Sequence, residues 1–308
     1  MGTKTFAVTG ATGNIGSVLA ETLLSRGHHV RAIGRSKERL QSLIEKGAEG
    51  YIGGLDDAEF LAPAFTGVDA VFTMIPPSAT ADNFRAYQNQ IGEALATAIK
   101  KSGVTQVVNL SSIGGHLGAG TGPIKGLHDN EERFNTLERV NVTHLRPVFF
   151  MENLLLGIEV IKNMGVNGSA VDPNLALPMI ATRDIAIVAA DLMEQGGLNG
   201  KSVRELPGPG DLTMQDATTA IGRAIGKEDL KYVQFAYEDV RAAMLGQGMS
   251  VSFVDELIEM NRGMNEGIVR GLEERSAENA TPTTIDEFAA AIFAPAYNGA
   301  AQAKSQPA

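Results

Sequence analysis

The chain has 308 residues, 44% of them apolar and 20% charged, which is the balance of an ordinary globule and long for a single domain. Lys+Arg 26 against Asp+Glu 36 leaves a net charge of −10, which speaks against nucleic acid or an anionic membrane as a partner, since both call for basic surface. The absence of cysteine excludes disulfides, thiolate metal centres and a cysteine nucleophile, and no metal site is expected. No charged-then-apolar leader precedes the first strand and no apolar run reaches membrane-spanning length, so the expected location is cytoplasmic.

Phe6-Ala7-Val8-Thr9 reads as an apolar strand running into Gly10, Gly13 and Gly16, with a helix behind it from about Asn14 to Arg26. This Gly-x-x-Gly-x-x-Gly is a looser form of the dinucleotide fingerprint. Missing side chains permit a tight turn and let a pyrophosphate reach the backbone and the free N–H groups of the first helical turn. Gly10, Thr12, Gly13, Asn14, Ile15 and Gly16 are the expected contacts; the rival reading is a plain strand-to-helix turn. A second strand, His29 to Ile33, ends at Gly34-Arg35-Ser36, followed by a helix over Lys37 to Lys46 and a short strand at Tyr51-Ile52.

Arg35 stands nineteen residues past Gly16, where an NAD site usually places Asp or Glu for the ribose hydroxyls. An arginine fork with Lys37 nearby suits a 2′-phosphate instead, so NADP(H) is expected in preference to NAD(H); the alternative is a surface arginine at a strand end. A short helix over Asp56 to Phe65 leads to the strand Ala70 to Ile75, which ends at Pro76-Pro77. Phe84, Tyr87, Ile91, Leu95 and Ala98 give the helix Ala81 to Lys101 a stripe that packs on the sheet and leaves a homodimer open. Val107 to Leu110 is a further strand, ending at Ser111-Ser112. Ile75, Pro76 and Ser111 would then flank the ribose and nicotinamide of a dinucleotide, although Ser111 and Ser112 also suit a simple turn.

Gly114 to Gly126 is glycine-rich and is expected to be mobile, with a helix from about Leu127 to Leu137 after it. The strand Val142 to Leu145 runs into Arg146-Pro147; helices are expected over Met151 to Asn163, Arg183 to Glu194 and Thr213 to Gly226, with a strand at Ser202 to Leu206. Alternating strands and helices at this spacing imply right-handed βαβ units and a doubly wound parallel α/β sheet. Residues 1–150 form the expected dinucleotide domain, with 176–207 returning to it. Residues 151–175 and 208–297 form a smaller, mostly helical C-terminal substrate lobe, and 298–308 a disordered tail.

The chain resembles the NmrA-like, atypical branch of the short-chain dehydrogenase/reductase superfamily, whose nucleotide domain is a Rossmann fold. The resemblance rests on Gly10-Ala-Thr-Gly13-Asn-Ile-Gly16, Gly34-Arg35, Gly67-Val-Asp69-Ala-Val71 and Gly122-Pro123…His128…Glu131. It extends through Leu145-Arg146-Pro147…Phe150-Met151-Glu152-Asn153, Arg183-Asp184-Ile185-Ala186 and Thr281-Pro-Thr-Thr-Ile-Asp-Glu-Phe288. It implies either an NADPH-dependent reductase of quinones, dyes or other conjugated acceptors, or a dinucleotide-binding redox sensor acting through a protein partner. Pro147 and Phe149 join the expected cofactor contacts on this basis. The Tyr-x-x-x-Lys pair of ordinary short-chain dehydrogenases is absent: the matching loop reads Ile124-Lys125-Gly126-Leu127-His128, and no tyrosine lies between Tyr87 and Tyr232. His128, and more weakly Lys125, are the candidate catalytic groups; the rival role for His128 is to anchor the loop. Gly53-Gly54-Leu55 stands where the family commonly has Gly-Asp-Leu, so only Asp56 could serve near the adenine.

Overall fold

The computed structural model describes residues 2–299. Its first half runs β1 (Thr5–Val8), α1 (Asn14–Ser25), β2 (His29–Gly34), α2 (Lys37–Glu45), β3 (Glu49–Ile52), α3 (Ala58–Phe65), β4 (Ala70–Thr73), α4 (Phe84–Ser102), β5 (Gln106–Leu110), α5 (Ile124–Asn135) and β6 (Asn141–Pro147). Then follow β7 (Phe149–Phe150), a 3-10 segment (Met151–Gly157), α6 (Ile158–Met164), β8 (Asn167–Ser169), β9 (Leu177–Ile180), α7 (Thr182–Gln195) and β10 (Lys201–Leu206). The chain continues with β11 (Asp211–Leu212), α8 (Met214–Ala224), β12 (Tyr232–Gln234), α9 (Tyr237–Gly246), α10 (Val251–Asn265), α11 (Ile285–Phe288), a π-helical turn (Ala289–Phe293) and α12 (Ala294–Tyr297).

Seven strands pair in the order β10-β6-β5-β4-β1-β2-β3, every pair parallel. Such a sheet must be covered on both faces, and the two-residue period of its strands supplies two cores. Phe6, Val8, Phe72 and Val108 pack with α1 and α7 on one face, through Leu19, Leu23, Ile185 and Ala189. Ala7, Val71, Val107 and Val142 pack on the other face with α3, α4 and α5, through Phe65, Leu95, Ile99 and Phe134. No described helix is long and apolar enough to cross a membrane.

The βα framework matches the sequence expectation, with three differences beyond it. Much of the stretch Gly114 to Gly126 is buried, with Gly118 and Ala119 exposed at its tip, and α5 begins at Ile124, three residues before the expected start. Met151 to Asn163 divides into a 3-10 segment and α6 rather than one helix. Two small sheets, β11-β9-β7 and β8-β12, went unread because strands of two to four residues are too short to display a period. The expected tail falls largely on residues 300–308, outside the described residues.

On the α4–α5 side, a neutral polar network is buried in the central strands. Thr73, Asn109 and His144 stand in register on β4, β5 and β6. The Thr73 hydroxyl donates to Asn109 Oδ1 (3.0 Å), as does Asn130 Nδ2 of α5 (3.2 Å). The Asn109 amide donates to His144 Nδ1 (3.1 Å), which leaves the proton on Nε2 to be given to Asn135 Oδ1 (3.1 Å). Burial is the main force lowering the His144 pKa from 6.5 to about 4; Arg146 and Lys201 add to it and Glu131 opposes it.

His144 is thus neutral when folded and takes a proton below pH 6.5 only when unfolded, so stability is lost as pH falls from about 6.5 to about 4. This one group accounts for up to about 3 kcal/mol at roughly 1.4 kcal/mol per unit. Denaturant titrations at pH 7 and pH 4.5 should show that loss in the wild type and a much smaller one in His144→Asn. Equal losses would remove His144 as the cause.

Candidate functional site

The strand order reverses between β1 and β4, and the crevice outside their C-terminal ends is where a doubly wound sheet takes its ligand. Gly10 has φ +62°, and a Cβ there would lie 2.8 Å from Met74 Sδ. The Thr9 hydroxyl accepts the Met74 N–H (3.1 Å), so the exit of β4 is tied to the exit of β1. A Cβ on Gly16 would stand 2.2 Å from the Gly10 carbonyl oxygen, so α1 descends on the turn closely enough to exclude any side chain. Gly13 differs from both: its Cβ would meet only the Gly10 oxygen, at 3.4 Å, and its outer side is open.

Gly13 is the N-cap of α1 and no side chain caps it, whereas α2, α3 and α4 are capped by Ser36, Asp57 and Asn83. The first bond of α1 runs from Ser17 N–H to Gly13 O (3.0 Å), which leaves the preceding amides to an outside acceptor. Arg35, exposed at the end of β2, has no hydrogen-bond or ion-pair partner among the described residues, and neither has Lys37. Arg35 and Asp56 both act electrostatically on Tyr87, so the two charges and the phenol are near neighbours. Arg39 donates to the Thr12 carbonyl (3.2 Å) and steadies the glycine turn. A diphosphate with a further phosphate beyond it fits this set: an open glycine, an uncapped helix start and a free guanidinium.

At the end of β5, the Ser111 hydroxyl donates to Glu131 of α5, and Arg146 of β6 grips both oxygens of the same carboxylate, Nε to Oε1 (2.9 Å) and Nη2 to Oε2 (2.5 Å). The sequence marked Glu131 only as a landmark and gave Arg146 a structural role at the lobe junction rather than a chemical one. Glu205, the neighbour of Arg146 on β10, is buried and accepts the N–H groups of Leu272 (2.6 Å) and Glu273 (3.0 Å). Ile113 N–H reaches the Pro147 carbonyl (3.1 Å), and Phe149, half-buried on β7, lies opposite Met179 of β9. Two other landmarks meet each other: Asp184 accepts both the N–H (2.9 Å) and the hydroxyl (2.7 Å) of Thr283.

The glycine-rich loop is wedged beneath α10. A Cβ on Gly122 would come 2.0 Å from the Glu256 carbonyl oxygen, and one on Gly263 of α10 would come 2.5 Å from the Gly120 carbonyl oxygen. His128 Nδ1 donates to the Gly115 carbonyl (2.9 Å), which is the anchoring contact, and turns Nε2 toward Gly118. Lys125 is bound to Glu256 (3.0 Å) and Glu259 (2.6 Å) of α10. Burial lowers the Lys125 pKa, but hydrogen bonds to Glu259 and Glu256 outweigh it and the net shift is upward. The structure therefore brings Lys125 to α10 as a clamp, which disfavours the expected catalytic role.

The start of α10 is fastened to the β4 exit by Ser250 Oγ to the Ala81 carbonyl (2.7 Å) and by Phe253 edge-on to Phe84 (4.9 Å). α9 buries none of its residues and rests on α10 through Arg241–Asp255 (2.7 Å), Asn265 Nδ2 to Tyr237 Oη (2.7 Å) and Arg262 over the Tyr237 ring (4.5 Å).

The family model described as the NmrA-like family matches residues 2–289, and the chain belongs to that family. An NAD(P)H azoreductase of Xenophilus azovorans is 28% identical over 256 residues, 82% of this chain and 85% of that protein. The structure of an NADPH-dependent quinone oxidoreductase from Escherichia coli, complexed with NADPH, matches with TM-score 0.75 at 23% identity, covering 94% of this chain and 99% of that one. NmrA, a negative transcriptional regulator, in complex with NADP, matches with TM-score 0.67 at 18% identity, over 97% and 98% of the two chains.

Gly16→Ala is expected to lower stability by about 1–3 kcal/mol, because backbone cannot yield to the new Cβ. Gly13→Ala should cost less, about 0.5–1 kcal/mol, the N-cap preference for glycine over alanine alone, since Gly13 is in an extended conformation (φ −92°) with room beside it. Thermal unfolding of the two variants checks this; equal loss in both would mean that the turn has no open face.

Proposed function

We propose that this NmrA-like chain is an NAD(P)H-dependent reductase of quinone-like, dye-like or other conjugated acceptors, with NADPH preferred to NADH. The observation that carries it is the cradle at the switch point: open Gly13 and uncapped α1 stand beyond β1, and unpartnered Arg35 beyond its neighbour β2. The name of the azoreductase relative supports the reaction class.

In this reading Gly10, Thr12, Gly13, Asn14, Ile15 and Gly16 hold the diphosphate, and Arg35 with Lys37 takes the 2′-phosphate. Ile75, Pro76, Ser111, Pro147 and Phe149 flank the nicotinamide half. When bound, the dinucleotide supplies a hydride to the acceptor. Positioning would carry most of the rate. A conjugated acceptor delocalises the charge it receives, so it needs little general acid, which suits a site with no Tyr-Lys pair. His128 is the better placed of the two candidate acids: Nδ1 is fixed on Gly115, so Nε2 is the atom that would give a proton, whereas Lys125 is tied to α10. The strands and helices from β7 onward, α9 and α10 above all, form the proposed acceptor side, for a small aromatic or conjugated molecule. The rival reading, a dinucleotide sensor acting through a protein partner, is equally compatible with the missing Tyr-Lys pair, and the close packing of Gly115 and Gly122 leaves less of the glycine loop to order on binding.

NADPH oxidation, followed at the nicotinamide absorbance against quinones and azo and triphenylmethane dyes, should show turnover that Gly13→Val abolishes. Nucleotide binding without turnover across the panel would favour the sensor. Arg35→Ala should weaken NADPH binding about ten- to hundredfold and NADH binding less than about twofold; equal losses would sink the 2′-phosphate assignment.

A further inference from the structure

We propose that Glu131, clamped by Arg146, is a positioning residue that makes Ser111 a pure hydrogen-bond acceptor, suited to the carboxamide N–H2 of a nicotinamide ring. This rests on the dinucleotide reading above.

The argument is one of proton counting. Both oxygens of Glu131 face the Arg146 guanidinium, a two-pronged contact that only a carboxylate satisfies, and Arg146 is a permanent donor. All three side chains are buried: Ser111 and Glu131 are 3% exposed and Arg146 7%. The proton between Ser111 Oγ and Glu131 Oε1 is therefore the serine's own. A hydroxyl has a single proton and two lone pairs. With that proton given to Glu131, Ser111 has only lone pairs to offer, and among the described residues nothing donates to them. Turning the O–H toward a substrate carbonyl would set serine lone pairs against a buried carboxylate. Gly115 closes over the contact, since a Cβ there would stand 2.6 Å from Glu131 Oε1 and 3.0 Å from Ser111 Oγ. His128 holds Gly115 in that position.

The polarity matters because Ser111 follows β5, on the side of the switch point toward which the nicotinamide half would extend. A ribose hydroxyl can donate or accept and would be indifferent to the serine's polarity. A carboxamide has one purely donating end, and a serine that only accepts selects that end and so fixes the ring's rotation. The same arrangement denies Ser111 the part of a proton donor to a carbonyl substrate.

The test compares binding of NADPH with that of its 3-acetylpyridine analogue, in which a methyl group replaces the carboxamide NH2, by calorimetric titration with no acceptor present. Wild type should bind the analogue about tenfold more weakly than NADPH. Ser111→Ala should shrink that ratio to about two, and so should the double variant Glu131→Met/Arg146→Met, which removes a buried ion pair as a unit and frees the serine proton. A merely structural role for the trio would weaken both ligands alike and leave the ratio unchanged; that result, in Ser111→Ala alone if the double variant does not fold, overturns the proposal. Failure of wild type to bind either nucleotide would instead remove the dinucleotide reading itself.

Discussion

The Gly10 carbonyl occupies the space that any side chain on Gly16 would need, and that close approach fixes where α1 begins and how steeply it meets the sheet. With the helix set so near, Leu19 and Leu23 reach the core shared with α7, and the amides of the first turn face outward along the crevice. The Thr9–Met74 bond then carries the constraint sideways, so the two strands that flank the reversal in strand order end at a fixed offset. The turn is thus a packing solution first. Its capacity to hold an anion follows from amides and an open Gly13 that the packing leaves over.

One half of the sheet is held to α5 by polarity rather than by oil. Asn109 on β5 and Ser111 just past its end, with His144 and Arg146 on β6, alternate so that all four meet Asn130, Glu131 and Asn135 on the helix. Apolar packing flanks this network, through Leu127, Phe134 and Leu137 with Val107 and Val142. A buried ion pair is seldom a net source of stability once desolvation is counted, so the Glu131–Arg146 fork is better understood as a device for direction. It fixes the direction of the Ser111 hydroxyl, while the neutral network beside it ties the three strands together.

The βα alternation could be read from the sequence because each strand and helix displays its period within its own residues. Arg35 stood out for a related reason, a cation at a strand end where an acid is usual. What escaped were relations between distant residues. The glycines of 114–126 suggested looseness, yet Gly115 and Gly122 are glycine because other groups crowd in: the Glu131 carboxylate against one, the Glu256 carbonyl against the other. Lys125 lies far along the chain from Glu256 and Glu259, so no local pattern could disclose its commitment. Thr73, Asn109 and His144 form one row only after the strands are laid side by side. The serine polarity needed three side chains from three elements in one place.

α9 buries none of its own residues and clings to α10 by surface contacts. Its sequence is therefore almost free of the demands that the core imposes elsewhere, and changes on it register on whatever passes beneath before they register on folding. Substitutions could thus accumulate on this one helix at little risk to the fold. The fold is in that sense unevenly constrained: the buried sheet and its helices tie most positions to packing, while one surface helix is left to vary.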